Sequence, residues 1–331
     1  MGSGLAVSPK ASMMLVFLVC DQQNYLQCMP RTRRMPPLPM TDKFDFSVIV
    51  PCYNEEHEIE NTIVQIREVF RRAGETNYEL IVVNDGSSDG TSGKLHQLQS
   101  ADPSLKVIDH DKNRGYGASL KTGIRACRGE LVAITDADGT YPNDRLPDLL
   151  RACGDADMAV GSRTSDNVTY SKLRMIPKVF LRAYASWIAN KNIPDINSGL
   201  RVFRRQIAEK YLGVLPDGFS FTTTITLALM TNNYRVEFHP IDYFERVGNS
   251  KIRPIRDTLN FVLLIMRTGM YFAPMRVFFP VVAILGLCAT ASLGYDLFVL
   301  SNLTDKTVIL LMFTMNTMMF ALLADMLDKR T

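Results

Sequence analysis

Residues Leu131–Pro142 read LVAITDADGTYP. The apolar run Leu131–Ile134 has the composition of a buried strand. It ends in Asp136-Ala137-Asp138, two carboxylates one residue apart. Such a pair repels itself unless a cation lies between its members. A hard divalent ion such as Mg²⁺ or Mn²⁺ takes one or two carboxylates together with phosphate oxygens. Gly139 permits a turn, and Pro142 keeps the next loop from becoming helix at once. Alone, the stretch fits either a metal-bridged diphosphate site or an Asp-rich turn capping a helix after Asn143. The neighbouring segments favour the site.

Upstream, Phe46–Pro51 (FSVIVP) reads as a first strand, followed by a helical pattern through Ile59, Ile63, Ile66 and Phe70. Leu80–Val83 is a second strand and runs into Asn84-Asp85-Gly86-Ser87. Val107–Asp109 is a third, followed by the loop Asp111–Tyr116 and a helix to about Cys127. This alternation predicts a parallel sheet covered by helices on both faces, with ligands at the C-terminal strand ends. Tyr53-Asn54-Glu55, Asn84-Asp85-Gly86 and Asp136-Ala137-Asp138 all fall at that edge. Gly115-Tyr116-Gly117 starts a GxGxxG pattern, but Leu120 stands where the third glycine belongs and the loop comes late in the sheet. A nicotinamide cofactor is therefore not expected. These glycines are expected to let backbone pass close to a ligand or to the sheet.

The chain has 331 residues, 47% hydrophobic and 21% charged, with a net charge of +3. This allows a sizeable core and gives no sign of nucleic-acid binding. Cys20, Cys28, Cys52, Cys127, Cys153 and Cys288 are scattered without CxxC or ligand spacing, against a disulfide framework or a structural zinc. Residues 1–42 carry a short apolar run, Met13–Cys20, and a basic, proline-rich stretch, Arg31–Met40. They are expected to be a leader or linker, with a signal or peripheral anchor as the alternatives.

Taken together, PCYNEE, VVNDGSSDGT, NRGYGASLKTGI, DADGTYP and GSR resemble the family 2 glycosyltransferases of GT-A fold, a Rossmann-like α/β architecture. DINSGLRVF, GFSFTT and RVGNSK resemble its polyprenyl-phosphate branch, the dolichol-phosphate mannose synthase and undecaprenyl-phosphate glycosyltransferase group. The resemblance covers about residues 46–255. It implies that Pro51, Tyr53, Glu55 and Asp85 line the nucleotide, with Ala137 beside them. It implies that Asp136 and Asp138 hold Mg²⁺ or Mn²⁺ on the donor diphosphate, with Asp138, Arg163 and Arg246 in catalytic roles. Arg163 would sit near the donor phosphates or the acceptor, and Arg174, Arg246 and Lys251 would bind the acceptor phosphate. Two departures stand out: Asn84 replaces the first acid of the usual Asp-Asp-Gly-Ser, and Thr140 stands where a Gln often completes the metal shell.

The implied reaction is inverting transfer of a sugar from a nucleotide sugar to a polyprenyl phosphate. A hydroxyl acceptor and a non-catalytic scaffold of the same fold are the alternatives. A hydroxyl nucleophile needs a general base, whereas a lipid phosphate is already ionised. None of His57, His96, His110 and His239 falls in a recognised motif.

Further on, Leu173–Asn190 reads as an amphipathic helix with Trp187 expected in the core. Arg201 either pairs with a site carboxylate or holds its loop. Three parts follow in order: a catalytic domain to about 255, an interfacial helix at 256–275, and a membrane hairpin at 276–331 with spans near 277–295 and 307–324. Basic residues flank the hairpin on both outer sides, which predicts a cytoplasmic catalytic domain. Asn316 is the strongly polar member of the second span. Packing of Gly286, Ala289 and Ala291 is a route to oligomers.

Overall fold

The computed structural model describes residues 44–164, 182–244 and 254–328, within a compact unit spanning Lys43–Thr331. The readings of residues 1–42 lie outside them.

Strand and helix alternate as the sequence pattern predicts: β1 (Phe46–Cys52), α1 (Ile59–Ala73), β2 (Tyr78–Asn84), α2 (Thr91–Ala101), β3 (Leu105–Asp109), α3 (Tyr116–Ala126), β4 (Leu131–Ile134), α4 (Leu146–Asp155) and β5 (Met158–Ser162). The helix α5 is described over residues 182–189. Then come β6 (Arg201–Arg204), α6 (Arg205–Tyr211), α7 (Phe221–Thr231) and β7 (Val236–Pro240).

The seven strands form one sheet in the order β3-β2-β1-β4-β6-β5-β7. The expectation of a parallel sheet is corrected at one place. β1 to β4 are mutually parallel, but β6 enters antiparallel between β4 and β5, with Arg201 level with both Ile134 and Val160. This insertion has a consequence for the site. β6 begins at the edge where β4 and β5 end, so the loops after β4 and β5 and the loop before β6 meet.

Side chains alternate between two cores, as the pleat requires. Val48, Val50, Ala133 and Val202 pack under α1 and α4, whereas Ile49, Ile81, Val132 and Phe203 face α3, α6 and α7. Each such fully buried aliphatic or aromatic side chain contributes about 1.5–3 kcal/mol. α3 packs tightly here, because a Cβ at Gly123 would lie 2.5 Å from Ile49 Cγ2.

A third cluster joins α5, α7 and the helix α8 (Pro254–Phe272) through Ile188, Leu227, Met230 and Ile265. α8 turns Leu263, Met266, Met270 and Tyr271 outward. Trp187 is not core: it is 51% exposed. Its indole N–H donates to the carbonyl of Arg276 at 3.3 Å, and the Arg276 guanidinium donates back to the carbonyl of Ile188 at 2.5 Å. This exchange clamps α5 to the start of α9 (Pro274–Tyr295). A π-turn, Asp296–Leu300, leads from α9 toward α10 (Asp305–Asp328). The segments Pro274–Leu300 and Asp305–Leu327 are each long and apolar enough to cross a membrane, and little of either is buried inside the protein.

Candidate functional site

The C-terminal ends of β1, β2 and β4 bring together the loops singled out in the sequence. Pro51 is buried in β1, level with Val83 of β2, and Tyr53 just beyond is 45% exposed. Asn54 adopts a left-handed backbone (φ 55°) and binds across to the next loop. Its N–H donates to Ser87 Oγ at 3.0 Å, and its side-chain oxygen accepts from the Ser88 N–H at 2.8 Å. The Glu55 N–H donates to Thr91 Oγ1 at 3.0 Å. The first two loops are thus one hydrogen-bonded unit.

Asp85 is buried and works on the third loop. Its Oδ1 accepts from the Arg114 N–H at 2.9 Å and its Oδ2 from the Gly115 N–H at 2.8 Å. Oδ1 also lies 2.7 Å from His110 Nδ1, and His110 Nε2 lies 2.9 Å from Thr122 Oγ1. Asp85 thus fixes the shape of that loop. Asn84 has its own reason to be an amide. Its Nδ2 donates to Asp109 Oδ1 at 2.7 Å, while its Oδ1 accepts from the Ser87 hydroxyl at 2.6 Å. An acid at position 84 would face the Asp109 carboxylate.

Asp136 and Asp138 follow β4. Ala137 between them is buried, with its carbonyl accepting from Thr62 Oγ1 of α1 at 3.1 Å, which pins the backbone of the pair. Asp136 Oδ1 accepts from the Tyr116 hydroxyl at 2.9 Å. On its other side lies Gly199, where a Cβ would stand 2.8 Å from Asp136 Oδ2. Burial pushes the Asp136 pKa up to about 6, and the Asp138 charge adds to the rise. Asp138 Oδ1 accepts from the Thr140 hydroxyl at 2.7 Å and from its N–H at 3.2 Å. Thr140 is thus spent on orienting Asp138. Among the described residues no three acid, His or Cys side chains gather into a ready-made cation cage. An ion here would rest on the two carboxylates and on oxygens brought by ligand and water. Hard oxygen donors and a repelling, partly buried pair suit Mg²⁺ or Mn²⁺.

Arg163, beyond β5, is placed next to this pair but held elsewhere. Its Nε and Nη2 form a fork on Asp195 at 2.7 and 2.9 Å, its N–H donates to the same carboxylate at 3.1 Å, and its guanidinium lies 5.2 Å from the Tyr243 ring centre. Burial acts to raise the Asp195 pKa, but the Arg163 bonds and charge outweigh it and hold the carboxyl below its usual range. Arg201 settles on its loop. Fully buried, it donates to the carbonyls of Ser198 and Thr222 and to Thr226 Oγ1. Burial pulls its pKa down to about 10.

The glycines of NRGYG let a chain segment, Pro216–Gly218, approach closely. A Cβ at Gly117 would run into the Pro216 carbonyl oxygen, and one at Gly115, whose φ is 102°, would lie 2.6 Å from that of Asp217. That segment carries Phe219, 75% exposed and stacked on Tyr116 with ring centres 5.6 Å apart. Arg174, Arg246 and Lys251 lie outside the described residues. Tyr116, Gly199, Asp195 and His110 are site residues to which the sequence motifs assign no role. The signal for Tyr116 is its place inside NRGYG, a motif that draws attention to its glycines alone.

Two family models match the chain: Glycosyl transferase family 2 over residues 47–212 and the GtrB C-terminal hairpin over residues 273–329. The polyprenol monophosphomannose synthase of Mycolicibacterium smegmatis is 31% identical over 217 residues, covering 62% of this chain and 80% of that protein. The dolichyl-phosphate hexose transferase of Haloferax volcanii is 27% identical over 212 residues, covering 63% of this chain and 87% of that one. Glucosyl-3-phosphoglycerate synthase of Mycobacterium tuberculosis, solved with UDP, shares the fold at a TM-score of 0.50 and 17% identity, covering 68% of this chain and 80% of its own. So does S. aureus TarS 1–349 with UDP, at 0.50 and 17%, covering 77% and 75%. With two carboxylates one residue apart just beyond β4 and an apolar helical hairpin at its C-terminus, the chain belongs to glycosyl transferase family 2 and is a glycosyltransferase.

Proposed function

We propose that the protein transfers a sugar, with inversion, from a nucleoside-diphosphate sugar to a polyprenyl phosphate at the cytoplasmic face of a membrane. The observation that carries this reading is one chain holding both the Asp136/Asp138 pair at the C-terminal strand edge and two helices able to cross a membrane. The named activities of the Mycolicibacterium and Haloferax relatives, on polyprenol and dolichyl phosphates, support the acceptor.

Pro51, Tyr53 and Glu55 receive the nucleoside, and Asp85 shapes the neighbouring loop. Asp136 and Asp138 would hold Mg²⁺ or Mn²⁺, with Thr140 fixing Asp138. When bound, such an ion offsets the negative charge that grows on the leaving diphosphate. An acceptor phosphate oxygen attacks C1 of the sugar from the face opposite the nucleotide. The new C1–O bond forms as the bond to the diphosphate breaks, and the electron pair departs with the nucleoside diphosphate. An ionised phosphate carries no proton to remove. This agrees with a site in which the buried histidine, His110, is engaged with Asp85 and Thr122. Arg174, Arg246 and Lys251 bind the phosphate; arginine suits it through two-point bonding.

α8 lies in the membrane interface with Leu263, Met266, Met270 and Tyr271 toward lipid, and the α9–α10 hairpin crosses the membrane and returns. Basic residues on both outer flanks of the hairpin support a cytoplasmic catalytic domain.

The test is transfer of labelled sugar to polyprenyl phosphate by the wild type and by Asp138→Asn. The variant should fold normally and lose nearly all transfer. A wild-type rate in the variant would remove the proposed metal role.

A further inference from the structure

Phe219 and Phe221 stand two residues apart in opposite environments. Phe221, the first residue of α7, is fully buried, whereas Phe219 is exposed over most of its surface. A lone exposed ring needs no explanation on an ordinary surface. Phe219 differs in how firmly it is held and in what stands beside it. The Ala118 N–H of α3 donates to the Asp217 carbonyl at 2.9 Å, and the Phe221 N–H donates to the Gly218 carbonyl at 3.3 Å. Lys121 Nζ lies 2.8 Å from Asp217 Oδ1. The Phe219 ring is stacked on Tyr116 with 17° between the ring planes.

Tyr116 and Gly199 bound Asp136 on its two sides. The segment around Phe219 is tied to both neighbourhoods. It reaches Tyr116 by stacking and the loop of Gly199 through Thr222, whose hydroxyl donates to Asn197 Oδ1 at 2.6 Å. Phe219 therefore stands beside the carboxylate pair, one ring beyond Tyr116. In the sheet, β4 lies between β1 and β6. A nucleoside at Tyr53 and Glu55 takes the β1 side of a diphosphate held beyond β4. The sugar then extends the other way, toward the loop before β6 to which Thr222 is bonded. A hexose carries hydroxyls around its rim and C–H bonds across its faces. Those hydrogens are slightly positive and suit the negative face of an aromatic ring. Such an apolar platform beside a few fixed polar groups is the usual make-up of a small-molecule site.

We infer, resting on the donor half of the proposed function and not on its lipid acceptor, that Phe219, backed by Tyr116, is the platform on which the sugar ring of the donor lies.

The test titrates the full chain in detergent with Mn²⁺ by calorimetry. The ligands are UDP, GDP, UDP-glucose and GDP-mannose, without lipid acceptor. Phe219→Ala should weaken binding of the nucleotide sugar that the wild type prefers by about tenfold. It should leave the matching nucleoside diphosphate within about twofold and the thermal midpoint unchanged. Phe219→Trp should restore most of the loss. Equal losses for diphosphate and nucleotide sugar would overturn the inference, since the ring would then serve the nucleotide or the structure alone. So would a Phe219→Ala variant that binds both like the wild type while its KM for polyprenyl phosphate rises, which would assign the ring to the prenyl chain. Asp138→Asn separates the two levels. If that variant binds nucleoside diphosphate like the wild type, the donor-site reading falls and the platform with it. If it loses the diphosphate while Phe219→Ala still holds the nucleotide sugar fully, the platform alone falls.

Discussion

The Tyr116 hydroxyl donates a 2.9 Å hydrogen bond to Oδ1 of Asp136, so a residue at the start of α3 orients a carboxylate at the end of β4. Removing that hydroxyl leaves the ring and its stacking on Phe219 in place. A hydrogen bond to a charged group is worth about 1.5–3 kcal/mol. Tyr116→Phe should therefore weaken Mn²⁺ binding by about tenfold or more and lower transfer, with little change in Tm. Titration of free Mn²⁺ by electron paramagnetic resonance, alongside the transfer rate, checks this.

Gly199 bounds the same carboxylate from the other side. A methyl group there would sit 2.8 Å from Asp136 Oδ2, closer than contact allows. The Gly199 N–H also donates to the Tyr141 hydroxyl at 2.7 Å, so the loop has little freedom to retreat. Gly199→Ala should turn Asp136 away and reduce kcat by about a hundredfold, corresponding to roughly 2.7 kcal/mol of barrier. The thermal midpoint should fall by only a few degrees.

Much of this arrangement is legible in the amino-acid order, because it is local. A β-branched run ending in acids or Asn-Asp-Gly marks a strand and its loop. Three such runs with helices between them place Tyr53, Asp85 and Asp136 on one edge. The rest depends on pairing between distant segments. Arg201–Arg204 is four residues long, and nothing in those residues states that they run antiparallel between β4 and β5. That insertion brings Gly199 to Asp136 and Asp195 to Arg163. The position of Trp187 escapes the sequence pattern for a related reason. The helical period identifies an apolar side of α5, but the indole lies out at the boundary with α9, where its N–H meets Arg276.

The departure at position 84 is explained by its neighbour, and the explanation predicts a compensation. Asn84→Asp should set two carboxylates against each other at Asp109 and cost about 1–2 kcal/mol. Adding Asp109→Asn should recover most of the loss. Chemical unfolding of the two single variants and the double variant measures the coupling.

The Arg163–Asp195 fork makes a pH prediction. The folded-state pKa of Asp195 lies below its ordinary value. Its stabilising contribution is therefore fully present above the unfolded carboxylate pKa of about 3.9 and is lost as pH falls through the lowered value. Asp195→Asn should remove that part of the acid sensitivity. At neutral pH it should destabilise the protein by about 3 kcal/mol, because the largely buried guanidinium loses its countercharge. Unfolding midpoints of wild type and variant across acidic pH test both statements.

The central claim is that the acceptor is a lipid phosphate. The most direct measurement presents the full chain in detergent with a panel of radiolabelled nucleotide sugars, Mg²⁺ or Mn²⁺, and either polyprenyl phosphate or the corresponding polyprenol. Label should enter the lipid phase from at least one donor, only with the phosphate, and chelator should abolish it. Label entering polyprenol equally well, or bound donor that never labels the phosphate, would contradict the account.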